Sequence, residues 1–404
     1  MTKLNPFRAK RPHLLLTNQF IFMLGFYMVV PFLAPFMRED LRMESAAIGL
    51  VLGLRTFSQQ GLFIVGGAFA DSLGARRLIL LGCATRIAGF VVLAFSFDFV
   101  TVLLGACLTG FAGALFSPAI SSLAAQLGTA GNKGTRAQFF ARLAVWGELG
   151  AVAGPLLGAL LLGVGFKAMA LGGAAVFAAA YIILHIQLPR VDMPVAAEIP
   201  SKWWHVFGNK LFVAFALAHS GFLFSYNQLY FALPVEIARA GGTDADLAPM
   251  FMIASLMIVG LQLPVTRAVQ HWPRALSLFA GFGLMSLAFG VVALFATQPA
   301  SGLLPATSMV MLLILGQMIV KPIAMDIVPR LAAGQPTGVY YGALASTGGL
   351  SVLIGNVALG PLLDRSLATG PQAPMAWIAM AVVPGICALA IIPIARAIAR
   401  LSAA

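Results

Sequence analysis

The sequence predicts an all-α membrane protein with 12 transmembrane helices arranged as two six-helix bundles. Of its 404 residues, 60% are hydrophobic and only 9% are charged, whereas soluble domains carry about 25% charged residues. So few charges cannot cover a water-exposed surface, and most of the surface must therefore face lipid. The apolar runs are long and do not alternate with polar residues, which favours helices over a barrel.

Twelve apolar runs are long enough to cross a bilayer core, which requires about 20 residues. The predicted spans are 14–36, 46–70, 78–96, 99–125, 139–163, 166–187, 211–236, 247–270, 275–297, 303–328, 338–363 and 375–398. The longest polar interruption separates the sixth run from the seventh. It divides the chain into an N-terminal bundle (1–188), a cytoplasmic central loop (189–210) and a C-terminal bundle (211–404).

The positive charge of the chain is distributed as a topology signal. The net charge is +12, with roughly sixteen Lys and Arg residues in the tails and even-numbered connections and roughly five in the odd-numbered ones. Because such residues collect on the cytoplasmic side, both termini are predicted to be cytoplasmic. This distribution argues against a nucleic-acid-binding surface. The run that starts at Leu14 is too long for a signal-peptide core and should remain as the first span.

A short charged hinge, Gly66–Arg77, joins the second and third predicted spans. It resembles the signature G-x-x-x-D-[RK]-x-G-R-[RK] of the major facilitator superfamily. The signature matches at Gly67, Asp71, Gly74 and Arg76, with Arg77 following, and it differs at Ser72 and Ala75. The resemblance implies a conformational latch, in which Asp71 faces the positive start of the eleventh span. The alternative is a plain turn that carries interface charges.

A second motif lies in the fifth predicted span. It resembles the G-x-x-x-G-P-x-x-G motif of drug:proton antiporters in the same superfamily. Its residues are Gly150, Gly154, Pro155 and Gly158. The alternative is ordinary packing, because small residues four positions apart let helices approach closely. Part of the motif, Gly154–Leu157, recurs as Gly360–Leu363 in the second half, as expected for a transporter built from parallel repeats.

Several stretches of the first half resemble MdtH-like bacterial multidrug efflux proteins of this superfamily. They include Gly53–Arg55, Gln59–Gly61 and Arg86–Phe90. The resemblance implies a major facilitator fold and a secondary active transporter rather than an enzyme. It further implies antiport of a small-molecule substrate with protons, by a monomer in the bacterial inner membrane that needs no cofactor.

Nucleotide and metal chemistry have little support in the sequence. The chain has no G-x-x-x-x-G-K-[ST] pattern, so ATP-driven pumping is not predicted. Cys83, Cys107 and Cys387 lie inside apolar runs without metal-ligand spacing, and we interpret them as packing residues.

Charged residues within spans are costly, so each is a candidate functional residue. Glu148 lies about nine residues into the fifth predicted span, near the middle of the bilayer. A buried carboxylate can gain and lose a proton, which makes Glu148 the candidate for proton coupling, with Asp71 as a second candidate through the latch. The alternative for Glu148 is a fixed ion pair. Arg86 is interpreted as structural.

Polar and aromatic residues in several spans could line a central substrate cavity. The candidates are Asn18, Gln19, Arg55, Gln59, His219, Tyr226, Asn227, Tyr230, Gln317 and Lys321. Each could equally contribute to helix packing. Pro322, directly after Lys321, is expected to break the tenth helix locally.

The sequence therefore leaves three functional hypotheses. The first is proton-coupled efflux of drugs or lipophilic metabolites by alternating access. The second is transport of an anionic metabolite or lipid that binds Arg55 and Lys321. The third is a membrane receptor or embedded enzyme that transports nothing.

Overall fold

A computed structural model of the chain describes residues 12–63, 75–129, 133–187, 203–298, 302–332, 335, 337–367 and 370–401. These residues fold into helices and the connections between them. In chain order the helices are α1 (Pro12–Val29), α2 (Leu33–Glu39), α3 (Ser45–Gln60), α4 (Ala75–Ala94), α5 (Phe99–Thr129), α6 (Lys133–Leu162), α7 (Phe166–Gln187), α8 (Lys210–Phe231), α9 (Leu233–Arg239), α10 (Leu247–Val269), α11 (Arg274–Phe295), α12 (Leu304–Ala332), α13 (Thr337–Ser366) and α14 (Met375–Leu401).

The helices occur where the apolar runs predict them. Within the described residues, 10 helices are long and apolar enough to cross a membrane, with α1 and α2 acting as one. The other two predicted spans, the second and the seventh, contain α3 and α8. Helix α3 has only 16 described residues, about 24 Å in length. Helix α8 contains His219, Asn227 and Gln228, which lower its hydropathy. The chain is therefore a multi-pass helical membrane protein.

The first helix of each half is interrupted in the same way. A 3-10 turn, Val30–Phe32, separates α1 from α2 and contains Pro31. Helix α8 likewise gives way at Ala232 to the short α9, which has Pro234 near its start. Proline lacks a backbone N–H and therefore ends or bends a helix. This shared interruption is a structural counterpart of the sequence repeat.

Helix packing defines where the two halves of the chain meet. In the first half, α4 packs on α5 and α7, and α1 packs on α6 and α7. In the second half, α11 packs on α12 and α14, and α13 packs on α8. The principal contacts between the halves are α3 with α13 and α6 with α10.

The expected break in the tenth span is absent. Helix α12 continues through both Pro322 and Pro329. Each proline leaves the carbonyl oxygen four residues earlier without its helical donor. Gln262 Nε2 donates to the Met318 oxygen at 3.1 Å, and the Tyr341 hydroxyl donates to the Met325 oxygen at 2.8 Å. Neighbouring helices thus satisfy the freed carbonyls, and the prediction of a local break was wrong.

Candidate functional site

A polar cavity of about 220 Å³ lies between the two halves. Five helices contribute to its wall: α1, α6, α8, α10 and α12. The lining residues are Gln19, Met23, Tyr27, Ala144, Gly147, Glu148, Ala151, Tyr226, Leu229, Phe251, Ala254, Ser255, Ile258, Gln317 and Lys321.

Five of the predicted site residues meet in this cavity. They are Gln19, Glu148, Tyr226, Gln317 and Lys321. They come from four helices that are far apart in sequence, so only the packing of the two halves brings them together. With Tyr27 and Ser255, the cavity wall therefore combines one carboxylate, one ammonium group, two amides, two phenols and one aliphatic hydroxyl with apolar surface.

Glu148 occupies the middle of its helix. It is the sixteenth of the 30 residues of α6, so each helix end lies more than about 20 Å away along the axis. Its polar neighbours are Ser255 on α10 and Lys321 on α12, both from the other half. The structure records no salt bridge between Glu148 and Lys321, both of which it describes. The two groups instead face a shared polar space.

The glycine motif of the fifth span forms a packing seam on α1. Gly150, Gly154 and Gly158 lie on one face of α6 and are buried. A Cβ atom at any of these positions would overlap the backbone of α1. The nearest oxygens belong to Phe20, Leu24 and Met28, respectively. Because the seam fixes α6 against α1 at backbone distance, it also sets the direction in which Glu148 projects.

Aromatic residues close the cavity towards the end of the molecule that carries connection 40–44, which we call the 40–44 end. The hydroxyl groups of Tyr27 and Tyr226 lie 3.4 Å apart across the two halves. The Tyr27 ring packs edge-on against Phe251, with ring centroids 5.8 Å apart. Sequence reasoning missed Tyr27 and Ser255. The i, i+4, i+8 spacing of Gln19, Met23 and Tyr27 on one face of α1 was the available signal for Tyr27.

Two predicted substrate residues, Arg55 and Gln59, lie outside this cavity in a sealed arginine cluster. We define the cluster as Arg55, Gln59, Arg86 and the four rings Phe26, Phe90, Phe116 and Phe177. The Arg86 guanidinium lies 5.3–5.9 Å from all four ring centroids. Arg55 lies 5.0 Å from the Phe26 centroid and donates to Gln59 Oε1 at 3.2 Å.

The remaining predicted substrate residues are also buried away from the cavity. Asn18 donates to its own helix at the Leu14 oxygen, at 2.8 Å. The His219 ring stacks on Phe222, with centroids 5.1 Å apart. Asn227 donates to Thr56 Oγ1 across the halves, at 3.1 Å.

The last predicted residues, Tyr230 and those of the hinge Gly66–Arg77, do not line the cavity either where the structure describes them. Tyr230 is buried and packs on Phe251. Gly67, Asp71 and Gly74 lie outside the described residues. Arg76 Nη2 donates to the His185 oxygen at 2.9 Å, and Arg77 is exposed. Among the described residues, no group of three His, Cys, Asp or Glu side chains could hold a metal ion.

These features define a polytopic helical membrane protein with a polar cavity between two halves, the architecture of a transporter. The sequence profile of the Major Facilitator Superfamily matches residues 15–356. The chain therefore belongs to the Major Facilitator Superfamily and is a transporter of small molecules, not an enzyme.

Curated relatives cover most of the chain. An uncharacterized MFS-type transporter of Mycobacterium tuberculosis is 34% identical over 363 residues, which cover 87% of this chain and 85% of the relative. The multidrug resistance protein MdtH of Aeromonas hydrophila is 29% identical, with 91% and 90% covered. MdtH of Escherichia coli is 27% identical, with 95% and 94% covered. The resemblance to MdtH-like proteins is confirmed.

Solved structures support the fold. A POT family transporter bound to a thioalcohol-conjugated peptide superposes with a TM-score of 0.82 at 15% identity, covering 96% of each chain. The nucleoside transporter NupG superposes with a TM-score of 0.74 at 16% identity, covering 95% of this chain and 98% of NupG. At these identities the likeness concerns the fold alone.

Proposed function

We propose that the protein exports drugs or lipophilic metabolites in exchange for protons, by alternating access across the bacterial inner membrane. One chain acts as a monomer, with both termini in the cytoplasm. Residues 1–188 and 211–404 act as the two rocking halves and 189–210 as the cytoplasmic link. The observation that carries the proposal is the position of Glu148, a carboxylate at mid-helix on the wall of the cavity between the halves.

The composition of the cavity supports a lipophilic substrate. Apolar side chains from three helices alternate with the polar groups: Met23 on α1, Leu229 on α8, and Phe251 and Ile258 on α10. The cavity volume of about 220 Å³ is below the range of about 300–1,000 Å³ typical of ligand pockets. We therefore expect the cavity to widen when the halves separate. MdtH proteins, which are named for multidrug resistance, support the same substrate class.

In the proposed cycle, Glu148 takes up a proton from one side of the membrane and releases it to the other. The charged carboxylate favours a polar, hydrated cavity and the approach of Lys321. The protonated form is neutral, which lowers the cost of a dry, closed cavity. Substrate and proton thus compete for one space, and their alternation couples the two fluxes.

The anionic-substrate hypothesis has weaker support. This hypothesis requires both Lys321 and Arg55 to bind the substrate. Lys321 lines the cavity, whereas Arg55 is only 3% exposed and does not line it. Glu148 also opposes Lys321 in charge. A cavity with one acid and one base favours neutral, cationic or zwitterionic substrates over anions.

The test is transport in proteoliposomes with an imposed pH gradient and a fluorescent lipophilic cation as the probe. Glu148→Gln keeps the shape of the side chain and removes its titration. We expect this variant to lose pH-driven export by more than about 10-fold, since one coupling step is removed, while passive exchange of the probe persists.

The matched control is Glu44→Gln. It makes the same chemical change at an exposed position before α3 and should leave export unchanged. Full pH-driven export by Glu148→Gln would show that another group carries the proton. If the wild-type protein showed no flux at all, the third hypothesis, a membrane receptor or embedded enzyme, would be favoured instead.

A further inference from the structure

Three residues join the two halves at the 40–44 end. The Asp364 carboxylate, in the last turn of α13, accepts the backbone N–H of Ser45 at 3.2 and 3.0 Å. Ser45 is the first residue of α3. Arg38, at the end of α2, donates to Ser45 Oγ at 2.6 Å and lies 3.7 Å from the Asp364 carboxylate. We call Arg38, Ser45 and Asp364 the Asp364 clasp.

The start of α3 lacks a cap of its own. Glu44 occupies the N-cap position but makes no side-chain hydrogen bond to the helix. The first N–H groups of a helix have no partner within the helix and carry partial positive charge. Ser45 is 0% exposed, so water does not supply the missing acceptor. Asp364, from the other half of the chain, supplies the acceptor and the negative charge together.

The clasp lies on a tight backbone contact between the halves. Gly360 packs directly on Ser45 and Ala46, and a Cβ atom at position 360 would overlap the Ala46 backbone. One turn further along, Gly49 packs on the Asn356 carbonyl group. Opening the molecule at this end requires the two helices to separate here, and separation would break every hydrogen bond of the clasp between the halves.

Like charges at the same end oppose closure. Asp244, before α10, lies close enough to Glu39 and Asp40 of the first half for their charges to interact. All three are acidic, so their repulsion pushes the halves apart when they are ionised. The clasp therefore works against a force that favours the open arrangement.

The clasp mirrors the latch predicted at the opposite end. The end of α3 lies beside the early part of α13, where Ser346 Oγ donates to the Gly61 oxygen at 3.0 Å. The two helices therefore run antiparallel. Asp71 follows the second span and is predicted to face the start of the eleventh span. Asp364 ends the eleventh span and faces the start of the second.

We propose that Asp364 is a gating residue: its cap on α3, held by Arg38, keeps the 40–44 end closed and must release before the cavity can open there. This inference rests on the proposed alternating access. The clasp then acts at one end of this helix pair, opposite the end at which the sequence predicts a latch.

Distances between spin labels test the clasp directly. Val164 and Leu304 are exposed at the 40–44 end, one in each half, and both are changed to cysteine after Cys83, Cys107 and Cys387 are replaced. We expect Asp364→Asn to raise the ratio of long to short distances by about 5-fold, as expected for loss of one charge at a helix start. Arg38→Gln should shift the ratio in the same direction, and Glu44→Gln should leave it unchanged.

A charge swap separates the cap from a simple ion pair. The double variant Arg38→Asp and Asp364→Arg restores opposite charges but places a cation at the positive start of α3. We expect the 40–44 end to stay open in this variant. Recovery of the short distance would overturn the cap. Asp364→Glu keeps the negative charge, so we expect the 40–44 end to stay closed in this variant. If Asp364→Asn does not fold, Asp364→Glu is compared with the charge-swap variant instead.

The outcomes distinguish the clasp from the proposed function. If the wild type shows two distances and Asp364→Asn leaves their ratio unchanged, the clasp is wrong and alternating access stands. If the wild type and Asp364→Asn both show one distance under all pH gradients, the clasp and alternating access are both wrong. Proton coupling is tested separately, by measuring pH-driven export of the probe by the Glu148→Gln variant.

Discussion

The central cavity and the sealed arginine cluster both place charged side chains among apolar helices, yet their surroundings are opposite in kind. Glu148 and Lys321 share an open polar space between the halves. Arg55 and Arg86 lie within one half, 3% and 1% exposed, against aromatic rings. The cavity holds charges that face a polar space, whereas the cluster holds charges that aromatic rings shield from water.

The arginine cluster shows how packing can stabilise a buried charge that has no ion-pair partner among the described residues. The rings around Arg86 offer their negative faces to the guanidinium, and such contacts contribute about 0.5–2 kcal/mol each. Within the described residues, Arg55 Nε and Arg86 Nε and Nη1 still have no hydrogen-bond partner. The cluster is therefore supported by packing and cation–π contacts more than by hydrogen bonds. A variant that changes shape should damage it more than one that only removes charge.

The largest expected effect is that of Arg86→Ala. It removes a fully buried side chain surrounded by four rings and leaves a void, which should lower the free energy of unfolding by about 3–5 kcal/mol. Thermal unfolding of the detergent-solubilised protein measures the loss. Arg86→Met refills the volume and should recover most of the stability and transport. If Arg86→Met folds normally but transports nothing, the cluster takes part in transport and the contrast with the cavity fails.

A smaller effect is expected for Gln59→Leu. The change removes the acceptor of the Arg55 hydrogen bond, at 3.2 Å, and leaves a second buried N–H group unpaired. We expect a loss of about 1–3 kcal/mol in stability with the KM of transport unchanged. The control is Gln262→Leu, which removes a half-buried amide that makes a hydrogen bond in the other half. A raised KM for Gln59→Leu alone would move the cluster into the substrate path.

The smallest expected effect is that of Lys321→Ala, on the cavity side of the comparison. Lys321 is exposed to the cavity and makes no ion pair among the described residues, so its removal should leave stability unchanged. It should lower the KM for cationic probes by about 5-fold and raise it for anionic probes, since about 1 kcal/mol of charge interaction is lost. Competition assays with matched cationic and neutral probes measure the shift. Equal changes for both probes would contradict an electrostatic role.

Much of the architecture could be predicted because lipid imposes a simple rule. A spanning segment must be apolar and helical over a fixed length, so spans and connections can be recognised from local composition. The predicted positions of α1, α4–α7 and α10–α14 follow from that rule alone, whereas α8 and the 16 described residues of α3 do not meet it. The motif Gly150–Gly158 was equally visible, because backbone contact between helices requires small residues at fixed spacing.

The site was predicted only in part, because a polar residue in a span carries no local sign of where it faces. Gln19 and Asn18 are neighbours in sequence, yet Gln19 lines the cavity and Asn18 is buried against its own helix. Arg55 and Lys321 looked alike as intramembrane cations and proved to have opposite surroundings. Pro322 was misjudged for the same reason, because its compensating donor, Gln262, lies on another helix.

Local composition thus determined the membrane class, the helices and the superfamily, because these depend on residues close together in the chain. The cavity around Glu148, the sealed cluster around Arg86 and the Asp364 clasp were decided only by tertiary packing. Each joins residues from different helices, and Asp364 lies 319 positions from Ser45. Which buried charge meets water, an aromatic ring or a helix start depends on the rotation and pairing of the helices.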